Sequence, residues 1–139
     1  MNLRRRYGKP NAAGDRLAGV SRSAFAHDAI LELEEAGDQR APGGAITLAL
    51  CGSVDHQPPC PVAPHASTAE REGHVVRLRV LFAAEPDDER WVRRVIDDAL
   101  DRGEGVDPEG TRTTWRLVSA EPSAVGPEER DHADRLCRT

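Results

Sequence analysis

Between residues 74 and 84 apolar and charged side chains alternate: Val76, Leu78, Val80 and Phe82 fall on one side, Arg77 and Arg79 on the other. A period of two predicts a β-strand with one buried face. The pattern then changes. Trp91, Val92, Val95, Ile96, Ala99 and Leu100 recur at helical spacing and form one apolar stripe. Pro86, Asp87, Asp88 and Glu89 supply a helix start, with carboxylates at the positive end of the dipole, and Gly103 supplies a stop. The spacing predicts a helix over 87–102. Over 113–120, Trp115 and Leu117 oppose Arg116 and Val118, which predicts a further strand. Strand, helix, strand at these lengths suits a crossover between parallel strands.

Residues 24–36 admit two readings. Ala, Leu and Glu in quantity suit a helix, with Ser23 as cap and Gly37 as stop. Alternation of Phe25, His27, Ala29, Leu31 and Leu33 against Asp28, Glu32 and Glu34 suits a strand. The turn-rich stretch 37–44 and the short apolar run 45–51 tip the balance to a hairpin, with Ala36 opposite Ala45. Residues 66–73 read as a polar connector, 104–112 as a Gly/Pro loop and 127–138 as a weakly amphipathic helix. The expected fold class is α+β: a small single domain over 23–139, with a mixed, about four-stranded sheet in the order β-β-loop-β-α-β-α. Helix 87–102 covers one face. The layer resembles a ferredoxin-like arrangement in topology, which carries no function with it. Residues 1–22, rich in arginine, read as a flexible basic arm.

Composition narrows the classes. Only 4% of the 139 residues are aromatic, so aliphatic side chains must fill the core. A net charge of −5 argues against nucleic acid, whose phosphates need a basic surface. No apolar run of about 18 residues exists to span a membrane, and no apolar stretch follows the basic start to make a signal peptide. A cytoplasmic protein with reduced or metal-bound cysteines is the resulting expectation.

The candidate chemistry is concentrated in 51–65. Cys51, His56, Cys60 and His65 are separated by gaps of four, three and four residues, and Pro58, Pro59, Pro61 and Pro64 stiffen the segment. Two thiolates and two imidazoles match a closed tetrahedral zinc site, although the spacing is that of no standard finger or knuckle. Asp55 beside His56, and His27 brought level with Cys51 by the hairpin register, are candidate supports or additional ligands. A Cys51–Cys60 disulfide, or Cys51 activated by His56 as a nucleophile, uses the same residues differently. Cys137 reads as a packed spare thiol. Arg77, Arg79 and Arg116 form a charged sheet face that either receives an anion or acidic partner, or pairs with Glu32 and Glu34.

The leading expectation is a small zinc-binding protein with a mainly structural site. The alternative is a non-enzymatic interaction or accessory module whose loop binds no metal, with a partner protein or a homo-oligomer as its target. A cysteine- or metal-dependent enzyme is the third reading.

Overall fold

The computed structural model describes residues 22–52, 63–107 and 109–139. The strict alternation around residue 80 becomes β3, Val75–Ala84. It lies between β2, His65–Glu72, and β1, Ser23–Leu33. On the far side of β1 come β5, Arg112–Ser123, and the short β4, Glu104–Val106. The sheet thus has five strands in the order β2-β3-β1-β5-β4, every neighbouring pair antiparallel. The α+β class holds, but the expected mixed, four-stranded sheet is corrected. β3 and β5 do run parallel to one another, yet β1 sits between them and bonds to both. Three α-helices are present among the described residues: α1, Ala41–Cys51; α2, Glu89–Asp101; and α3, Arg130–Cys137.

The hairpin of 24–36 with 45–51 does not form. Residues 23–33 are a strand, but 41–51 are helical. Pro42 stands in the first turn, where its missing N–H costs nothing. Gly52 adopts φ 79° and returns its N–H to the Leu48 carbonyl at 2.8 Å, closing the helix in a left-handed cap. The stretch 66–73, expected as a connector, is mostly strand β2, joined to β3 by a two-residue turn in which Gly73 takes φ 63°.

α1 and α2 pack together on the apolar face of the sheet. The core between them is Leu31, Leu33, Val76, Leu78, Val80, Phe82, Ile46, Leu50, Val92, Val95, Ile96 and Leu100, all buried. The sheet curls around this layer. A Cβ on Gly43 would stand 3.2 Å from the Ser67 Cβ on β2, and one on Gly44 would stand 3.4 Å from the Val106 carbonyl on β4. The first turn of α1 is therefore wedged between the two edge strands, which leaves little room for a side chain at either glycine. At the other end of α2, Trp115 donates its indole N–H to the Leu100 carbonyl, satisfying one of the last carbonyls of that helix.

Candidate functional site

His56, Cys60 and Asp55 lie outside the described residues. Cys51, at the end of α1, is disulfide-bonded. A disulfide sulfur is not the thiolate that zinc takes. His65, the first residue of β2, donates from Nδ1 to the Ala63 carbonyl at 2.9 Å, which leaves Nε2 to accept from the Thr47 hydroxyl at 2.9 Å. The ring is thus used as a tie between β2 and α1.

His27 does not join this group through the expected register, because its neighbour is not residues 45–51. It faces α2 instead and is 2% exposed. Arg93 lies 2.8 Å from Nδ1 and can only donate, so Nδ1 accepts and Nε2 carries the proton it gives to Asp97 at 2.7 Å. Arg93 also donates to the Ala26 carbonyl and to Glu89, and its guanidinium lies 5.2 Å from the Phe82 ring centroid. His27 is a polar fastening of β1 to α2, with both nitrogens in use.

Asp38, Asp107 and Glu109 bring carboxylate oxygens within 4.8 Å of one another. Arg40 explains the gathering: it reaches Asp38 at 2.6 Å and Glu109 at 2.9 Å. Its hydrogen bonds hold the Asp38 carboxyl at about 2. Asp107 spends one oxygen on the Glu109 and Thr111 amides.

The opposite face of the sheet is built differently. Strand register lays its side chains out in rows. One row is Glu70, Arg77, Ile30, Ser119; the next is Thr68, Arg79, Asp28, Glu121. Ala66, Leu81, Ala26 and Ser123 follow, and α3 packs on β1 and β3 on this face. Arg79 fastens that helix. It forms two bonds to Glu129, at 2.6 and 2.7 Å, and further bonds to Asp28, Ser123 and the Ala124 carbonyl. The guanidinium, helped by the Gly126 amide, holds the Glu129 carboxyl at about 2. Arg116 is bound to Glu32, as the sequence pairing anticipated.

Beyond α3 the face is open and forms a concavity of about 310 Å³, lined by both of the first two rows. Asp28 stands directly opposite Glu121, a like-charge pair that costs stability unless compensated. Asp28 is answered by Arg79 at 2.8 Å. Among the described residues, no ion pair reaches Glu121, Glu70 or Arg77. The sequence placed Arg77 and Arg79 outward correctly. It did not reveal Asp28 against Glu121, because that contact depends on β5 being the neighbour of β1.

No protein-family model matches the chain, and no curated protein does. Among solved structures, the crystal structure of aminobenzoyl-glutamate utilization protein from Klebsiella pneumoniae is similar at a TM-score of 0.34 and 11% identity, over 80% of this chain and 32% of that one.

Proposed function

We propose that this chain is a non-enzymatic interaction module that receives a polypeptide on the uncovered half of its sheet. One observation carries the reading. On this face Arg79 is ion-paired with both Asp28 and Glu129, and Arg116 with Glu32, whereas Arg77 and Glu121 have no ionic partner among the described residues. Ile30 lies between them and offers apolar contact area. Unspent charges of both signs around an apolar centre suit a rim-and-core contact with another polypeptide. The first expectation, a zinc site, draws no comparable support: Cys51 and His65 are both committed to other bonds.

The test is site-specific photo-crosslinking in the cells that make the protein. A photoreactive residue at Ser119, on the open face, should give an adduct of discrete mass. The same residue at Arg94, on the exposed side of α2, should not. Equal or indiscriminate labelling from both positions overturns the reading.

A further inference from the structure

We infer that the polypeptide received on this face is a second copy of the same chain, an inference that rests on the docking face just proposed. A two-fold dimer presents the same patch twice, so a residue of one copy meets a different residue of the other, and the reverse contact follows automatically. Such a patch must carry complementary features side by side. This one does: Arg77 lies on β3 and Glu121 on β5, either side of β1 and one row apart. Placing Arg77 of one copy over Glu121 of the other satisfies both at once, and does so twice per dimer.

The sheet geometry permits the contact. Facing sheets pack about 10 Å apart, a gap that an arginine and a glutamate side chain span together. Each Arg77 would also approach the Asp28–Glu121 pair, in which Arg79 already answers Asp28 and Glu121 is the member left to be paired. An unrelated partner would have to supply a cation and an anion at matched positions; a second copy brings both by construction. α3 remains on its own sheet, held by Arg79, and bounds the contact at one end.

Sedimentation of the full chain over a range of concentrations, at low and high salt, measures the dimer. Dimerisation should weaken with salt, because its ionic contacts lie near the surface. Arg77→Glu alone should raise the dimer Kd about tenfold or more, since it turns both contacts into repulsions, and Glu121→Arg alone should do the same. The two single variants mixed together should recover association. In the mixed pair each contact again joins opposite charges. The substituted side chain of one variant meets the substituted side chain of the other, and the native Glu121 of the first meets the native Arg77 of the second. Recovery in the mixture also shows that both variants are folded. A wild-type chain that stays monomeric, single variants that still dimerise, or a mixture that stays monomeric overturns the inference. The crosslinking experiment separates the two levels. An adduct from Ser119 with twice the mass of the chain supports the second copy. A discrete adduct of any other mass keeps the docking face and removes the second copy, and no discrete adduct removes both.

Discussion

Glu129→Gln should loosen α3 and take with it a part of the stability that acid removes from the wild type. In the folded chain the Arg79 guanidinium holds the Glu129 carboxyl at about 2, against an ordinary value of 4.5. A depression from 4.5 to about 2 corresponds to about 3 kcal/mol at about 1.4 kcal/mol per pH unit. Glu129 keeps 20% of its side chain exposed and Arg79 keeps 29%. Solvent screens such a pair, so about 1–2 kcal/mol is the expected cost.

The sign follows from the direction of the shift. A carboxyl held below its unfolded value stabilises the fold fully above pH 4.5 and loses that contribution as pH falls towards 2. Asp38, held at about 2 from 3.8, titrates over an overlapping range. It does so in wild type and variant alike, so the difference between them isolates Glu129. Urea unfolding followed by tryptophan fluorescence reads the effect. With m of about 1–3 kcal/mol/M, the midpoint at pH 7 should drop by about 0.5–1 M, and the gap should close near pH 2. Amides of 130–137 should exchange faster in the variant at neutral pH. Coincident midpoints at pH 7, or a gap that persists unchanged at pH 2, would refute the assignment of this ion pair as the fastening of α3.

Ile96 is 0% exposed in the core between α2 and the sheet, so Ile96→Ala should cost about 2–5 kcal/mol, read as a lowered urea midpoint with unchanged m. Glu85 is 3% exposed and neither of its oxygens has a hydrogen-bond partner among the described residues. Removing that unsatisfied group by Glu85→Leu should raise stability by about 1–3 kcal/mol, and a destabilised variant would show that the carboxylate is compensated. In protein denatured without reductant, Cys137 should alkylate and Cys51 should not, as read by peptide mass spectrometry. In the folded protein, burial and the nearby Asp134 raise the Cys137 pKa, so its labelling should be slow at neutral pH and accelerate in alkali. Chelator should leave the melting temperature unchanged, because Cys51 and His65 are already bonded elsewhere; a fall in Tm would restore the metal reading.

What the sequence revealed follows from how each element buries its surface. β3 and α2 were legible because each has one apolar side and one charged side, so period and burial agree. α1 was not, because its residues are apolar nearly all round: Ile46 and Leu50 are buried while Leu48 is 49% exposed, and two glycines interrupt the run. Such a segment has no amphipathic period to read. β2 was missed for the opposite reason. Its inward positions are His65, Ser67, Ala69 and Arg71, small or polar; at Ser67 the first turn of α1 presses through Gly43 and leaves no room for a large apolar side chain. Misreading α1 as a strand then gave β1 the wrong neighbour. Alternation alone correctly turned His27 inward and Arg77 and Arg79 outward. Which charges stand opposite one another is decided by register across β1, a property of three strands that are distant in sequence. Asp28 meets Arg79 on one side and Glu121 on the other only because β3 and β5 both flank β1. The charge pattern from which the docking face is argued therefore belongs to the pairing of strands, and no single stretch of the chain contains it.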